Sequence, residues 1–255
     1  MTGYRELLEK EVIEAWRTHR TVMVGALYVV LGIASPVMIR YMPELQALFG
    51  PVDGELGFGE LGLPDAIDLL VRNLVQFGSI AAVLLAMGSV AGERERGTLG
   101  PTLARPVSRT AILASKFVGI AMTLGLATGL GVLAAFLYST LLFGATDPLA
   151  WAQAALFLLL AVLLPAAITF LGSVVAPSSL GAAAVGVGGL VVLTLGATLP
   201  AANPWFSVGL AELARAVTVE GIGPDLDAGR TVAISMAVVV VSLLAAWWRF
   251  RRADV

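Results

Sequence analysis

The chain has 255 residues, of which 58% are hydrophobic and 13% charged, with a formal net charge of -2. A water-soluble domain carries about a quarter of its residues as charges, so this composition excludes an ordinary globule. It also holds no cysteine, which excludes disulfides, thiolate metal sites and cysteine nucleophiles.

Apolar windows long enough to span a bilayer (~20 residues) recur along the whole chain. The fold expected is an all-α polytopic membrane protein. Residues 1–20 form an amphipathic interfacial elbow helix and residues 21–255 a six-span transmembrane domain. In residues 4–20, Tyr4, Leu7, Leu8, Val12, Ala15 and Trp16 recur at spacings of three and four, with Arg5, Glu6, Glu9, Lys10, Glu14 and Arg17 opposite. Trp and Arg on such a helix suit a bed along the bilayer surface.

Span 1 is read over residues 21–39, and the Gly-rich acidic residues 40–65 as a loop. Span 2 covers 66–91, with Asp68, Arg72, Asn73 and Gln76 in its outer third. Residues 92–116 form a charged loop expected to hold a short helix between turns. Span 3 covers 111–143, long enough to protrude from the hydrocarbon, span 4 covers 149–175 and span 5 covers 180–199. In the second long loop, 200–230, the stretch 205–217 has helical periodicity and suits either a short helix or a re-entrant pair. Span 6 covers 231–248 and stops at Arg249, Arg251 and Arg252.

Six spans put both termini on one side. That side carries Arg5, Lys10, Arg17 and Arg20, then Arg94, Arg96, Arg105, Arg109 and Lys116, then the three arginines of the tail. The other side has only Arg40, Arg72, Arg215 and Arg230 of the 16 basic residues. Basic residues mark the cytoplasmic side, so both termini and the 92–116 loop are expected in the cytoplasm.

The absences narrow the function. No ionisable residue falls in the middle of a span, which disfavours an ion-coupled carrier needing a relay at membrane depth. One histidine, His19, and no cysteine cannot build a zinc site or a Ser-His-Asp triad. Lys10 follows Glu9 and Lys116 follows Ser115, so no phosphate-binding loop of the G-x-x-x-x-G-K-[ST] type exists. Any ATP driving this protein must be bound by a separate polypeptide, and the chain by itself is not an enzyme. No basic patch outside the loops suggests nucleic acid.

The stretch GERERGTLGPTLARPVSRTAILASKFVG resembles the first cytoplasmic loop of ABC-2-type transporter permeases. The matching positions are Glu93, Glu95, Gly97, Thr98, Leu99, Pro106, Val107, Ser108 and Arg109, continued by Lys116 and Gly119. Gly100 and Pro101 depart from the family's acidic-hydrophobic helix. The resemblance implies a cytoplasmic coupling helix between spans 2 and 3 that docks in an ABC ATP-binding subunit, with Glu93, Glu95, Gly97, Thr98, Leu99, Arg105, Pro106 and Arg109 as the coupling residues. In this reading Glu93 and Glu95 pair with basic residues of the partner or with neighbouring arginines.

The resemblance further implies an exporter in the cytoplasmic (inner) membrane. Two permease copies, here a homodimer, pair with two ATP-binding subunits that hold the ATP and Mg, while this chain binds no cofactor. An apolar cavity argues for an amphipathic or lipid-like substrate. Asn73, Gln76 and Ser79 on span 2 and Thr194 and Thr198 on span 5 are candidates for lining the pathway or for holding helices together. Gly125 and Gly129 make a G-x-x-x-G in span 3, read as close packing. The alternative function is a membrane scaffold that recruits a soluble partner through the same loop without moving a solute.

Overall fold

The computed structural model describes residues 4–49, 61–98, 107–197, 207–219 and 227–252, and among these every regular element is an α-helix. In chain order they are α1 (Tyr4–Arg17), α2 (Arg20–Phe49), α3 (Leu63–Met87), α4 (Ala91–Glu95), α5 (Arg109–Phe143), α6 (Pro148–Val175), α7 (Ser179–Ala197), α8 (Ser207–Thr218) and α9 (Ala228–Arg251). Helices alone satisfy their backbone groups within the segment, which lipid requires. Among the described residues, five helical stretches are long and apolar enough to cross a membrane: Arg20–Glu44, Leu63–Glu95, Arg109–Phe143, Pro148–Val175 and Ala228–Arg251. Ser179–Leu195 is a shorter apolar helix. Met23, Leu141, Leu180 and Val192 are largely exposed on these helices, a surface that belongs in hydrocarbon. The protein is a multi-pass membrane protein.

The periodicity at the N-terminus becomes α1, with Leu7 buried and Trp16 half exposed. The chain turns into α2 at His19, whose φ of 58° lies in the left-handed region; a non-glycine residue there costs about 1–2 kcal/mol. The loop expected over residues 40–65 is corrected. Helix α2 continues to Phe49 past Pro36 and Pro43, and α3 already begins at Leu63. A proline removes one backbone donor, and a membrane helix tolerates this where neighbouring groups take up the freed polarity. Ser35 Oγ donates to Leu31 O at 2.8 Å just before Pro36. At the start of α3, Asp65 Oδ2 accepts from the Gly62 amide at 2.8 Å.

Helix α5 has 35 residues. At 1.5 Å per residue it is about 52 Å long, against a hydrocarbon core of ~30 Å. It packs along α2 through Gly131. A Cβ at Gly32 would stand 2.2 Å from Gly131 O, and one at Gly131 would stand 2.9 Å from Tyr28 O. The two backbones therefore touch, as they do in small-residue membrane interfaces. The G-x-x-x-G of the sequence is not that contact: Gly125 reaches only the Leu159 side chain, and a Cβ at Gly129 would meet nothing within 4 Å.

Helix α6 runs through the middle and touches α3, α5, α7, α8 and α9. Two buried clusters lie along it. One surrounds Phe117 and Phe170, whose rings meet edge to face at 5.4 Å. The other joins Tyr28, Leu74, Trp151 and Leu158, with Phe136 at 6.0 Å from Trp151. Lipid is as apolar as these side chains, so close packing rather than escape from water holds them together. From Ser207 onward the periodic stretch 205–217 forms one helix, α8, whose Leu210, Leu213 and Ala214 are buried. Its Arg215 meets Asp68 of α3 at 2.8 Å, which places α8 at the end of the bundle away from α4.

Candidate functional site

The site is the base of the charged loop, where α3 gives way to α4 after Gly88. A five-residue helix has almost only terminal backbone groups, so its existence depends on capping. Its first amides are capped from another helix: Ser173 Oγ of α6 accepts from Val90 N and Ala91 N, each at 3.0 Å. In return, Arg94 donates to the closing carbonyls of α6, Nη1 to Ala176 O at 2.6 Å and Nη2 to Val174 O at 3.2 Å. A cation on C-terminal carbonyls also opposes the helix dipole.

Gly97 and Thr98 end the helix. Gly97 has φ 69°, its amide donates to Arg94 O at 3.1 Å, and Thr98 N donates to Glu93 O at 2.9 Å. That pair of bonds is the Schellman arrangement, which needs a left-handed residue that glycine supplies without steric cost. The Gly-Thr of the motif is therefore a helix stop. Glu95 is exposed and accepts from Ser179 Oγ at 2.5 Å, setting a carboxylate at the N-terminus of α7, where the dipole favours it.

Glu93 departs from the reading that offered it to a partner or to neighbouring arginines. It is only 7% exposed, and its Oε1 accepts from Lys116 Nζ of α5 at 2.7 Å. Lys116, 4% exposed, also reaches Glu11 of α1 at 3.1 Å, and Lys10 lies 3.8 Å from Glu93. One carboxylate thus ties α1, α4 and α5 together. A buried charge left unpaired would be far too costly, so Glu93 is committed inside the protein. Gly119 lets α1 come close, since a Cβ there would stand 3.2 Å from Glu11 Cβ.

At the far end of the loop, Ser108 caps α5 by accepting from Ala111 N at 3.2 Å. Arg109 donates from Nη1 to Phe250 O and Arg251 O, both at 3.2 Å, joining α5 to the end of α9. Leu99, Arg105 and Pro106 lie outside the described residues, as does Thr198. Of the pathway candidates, Asn73 is half-buried and donates to Ser35 Oγ of α2 at 3.4 Å. Gln76 is exposed on α3 and Ser79 is buried. Thr194 is exposed on α7 and donates to Leu190 O of its own helix at 2.8 Å.

Sequence reasoning missed Ser173, Arg94 and Ser179, whose roles depend on contacts across 80 or more positions. It used Lys116 for the topology, for the absence of a phosphate-binding loop and as part of a motif, but not as a charge partner. The available signal was the rarity of lysine: the chain has two, Lys10 and Lys116, and both converge on Glu93. The assembled geometry is mechanical. The loop base is bonded to α1, α5, α6 and α7 at once.

Residues 5–255 match the profile of the ABC-2 family transporter proteins. The Bacillus subtilis (strain 168) protein described as the uncharacterized transmembrane protein YxlG is 26% identical over 252 residues, 96% of each chain. The probable ABC transporter permease protein NosY of Stutzerimonas stutzeri is 30% identical over 125 residues, covering 49% of this chain and 41% of that protein.

Proposed function

This chain belongs to the ABC-2 family of transporter proteins, and on that premise we propose that it is the permease subunit of an ATP-driven exporter in the cytoplasmic membrane. A separate ABC ATP-binding subunit, in two copies, supplies the power and holds ATP and Mg. A second copy of this chain completes the pathway. The substrate class is amphipathic or lipid-like, matching spans with few polar groups. Asn73, Gln76, Ser79, Thr194 and Thr198 remain the candidates for meeting it. In this reading α7 is the fifth of six spans, α1 is the elbow helix lying along the membrane, and the 92–116 loop, α4 included, is the coupling element.

The observation that carries the proposal is the bonding of the loop base. Transmission needs a connector that moves as one body with the spans it drives. Reciprocal capping by Ser173 and Arg94 and the Glu93–Lys116–Glu11 cluster supply that rigidity. With Glu93 committed internally, the face left for the partner is Glu95, Arg96 and the residues following Thr98.

The test is Glu95→Lys combined with Leu99→Asp in the purified complex. Losing a buried interface anchor costs about 2 kcal/mol or more, and reversing a rim charge adds repulsion. Partner co-purification and substrate-stimulated ATP hydrolysis should both fall, with membrane insertion unchanged. Wild-type levels of both would remove the coupling assignment. Co-purification without any substrate-stimulated hydrolysis in the unaltered complex would instead favour the scaffold alternative.

A further inference from the structure

Beside the loop, an apolar groove of about 450 Å³ opens between α5 and α9, floored by Phe170 of α6. Leu113, Phe117, Leu243 and Leu244 form its walls, and no charged residue lines it among the described residues. At its polar end stands Trp247, held by a hydrogen bond from Nε1 to Thr110 Oγ1 at 2.9 Å. A second hollow of about 250 Å³ shares Trp247 and is bounded by Trp248, Arg251 and Arg252. The Arg251 guanidinium lies 4.7 Å from the Trp247 ring centre and that of Arg252 4.1 Å from the Trp248 ring centre. Stacking fixes these cations while leaving their N–H groups to meet an anion in the ring plane.

We propose that this groove and hollow together bind one anionic phospholipid, its acyl chain along Leu113, Phe117 and Leu244 and its phosphate at Arg251 and Arg252. Charge complementarity selects the occupant: an apolar slot with two arginines at one end matches one acyl chain of a lipid together with its anionic head. Tryptophan and arginine at that end also belong at the level of lipid headgroups. Length points the same way. From Thr110 to Val118 the groove runs about 12 Å along α5, close to one leaflet of a ~30 Å hydrocarbon core, whereas a spanning helix of a second copy would need a seat along the whole thickness. The site does not depend on what the protein transports. It would make the junction of α5 and α9 sensitive to membrane composition.

The experiment is native mass spectrometry of the full chain in detergent, titrated with dioleoylphosphatidylglycerol, dioleoylphosphatidylcholine or glycerol 3-phosphate. The anionic lipid should be retained at one per chain, at a concentration about tenfold or more below that of the zwitterionic lipid, given roughly a factor of five per surface arginine. Arg251→Gln with Arg252→Gln should abolish that preference, and Ala114→Phe, which fills the groove, should abolish retention of either lipid. Both arginines are exposed, so their variant decides the matter even where Ala114→Phe does not fold. Equal retention of the two lipids overturns the proposal. So does binding of glycerol 3-phosphate as tight as that of the lipid, which would make this a free-phosphate site. Loss of a dimer with lipid retention intact, on filling the groove, would make it an interface between copies and overturn the proposal as well.

Discussion

A lysine ammonium almost out of water is stable only beside carboxylates. Lys116 is 4% exposed and meets Glu93 at 2.7 Å and Glu11 at 3.1 Å. Lys116→Met keeps the apolar stem and removes the charge, leaving the two carboxylates with the half-exposed Lys10, 3.9 Å from Glu11 and 3.8 Å from Glu93, as the cation within 4 Å among the described residues. Breaking a buried pair from one side costs about 3–5 kcal/mol, so the variant should melt well below the wild type in detergent. Adding Glu93→Gln should recover most of that loss, because no unpaired charge then remains buried. The measurement is the melting temperature of all four members of the cycle by intrinsic fluorescence. A Lys116→Met protein that melts with the wild type would mean the cluster is solvated and not a structural tie. Glu93 shows what sequence can and cannot tell at this scale. Its membership of a charged loop was legible, but its partners, 23 and 83 positions away, were not; an ion pair between helices leaves no local periodicity to read.

Elements follow the same division between local and distant causes. The stop of α4 at Gly97 was readable in principle because a left-handed C-terminal residue is a local demand that glycine meets. Ser108 and Asp147 as helix starts are equally local, each accepting a backbone amide of its own first turn. The start of α4 was not readable, because its cap is Ser173 of α6. Nor was the reach of α2, which runs through Pro36 and Pro43 to Phe49 into residues whose Gly-rich acidic composition had suggested a loop. The short apolar stretch of α8 was open to two readings until its packing on α6 and its ion pair to Asp68 chose one.

The foreign cap makes a prediction. Ser173→Ala removes one hydroxyl and leaves two buried N–H groups without an acceptor, each costing about 1–3 kcal/mol. Hydrogen exchange at Val90 and Ala91 should quicken strongly while amides in the middle of α5 keep their protection. Unchanged exchange at 90–91 would show that α4 holds without α6, and the rigid-body argument for the loop would lose its main support.

For the whole molecule, connectivity and contact together argue the topology. The end of α9 lies against the start of α5, through Arg109 on the carbonyls of Phe250 and Arg251 and through Trp247 on Thr110. Those ends share one side. From there α5 crosses, α6 crosses back, and α7 starts on the first side again, where Glu95 meets Ser179. Helix α9 must start on the opposite side to finish where it does, so the chain crosses once more between residues 179 and 228. Helix α8 has 12 residues, about 18 Å, which is too short to span. Helix α7 has 19, about 28 Å, which just matches the ~30 Å core. With α7 counted as proposed above, the spans number six, and the excess of Lys and Arg then assigns the side of both termini. The chain has no cysteine of its own, so single cysteines can test this directly. In intact cells, Ala145→Cys and Gly229→Cys should react with a membrane-impermeant thiol reagent, while Ser108→Cys, Ser178→Cys and Arg252→Cys should react only after the cells are opened. Labelling of Gly229→Cys only in opened cells would put both ends of the α7–α8 segment on one side. Helix α7 would then be re-entrant, and the contact of Arg109 with α9 would have to be wrong for the protein in its membrane.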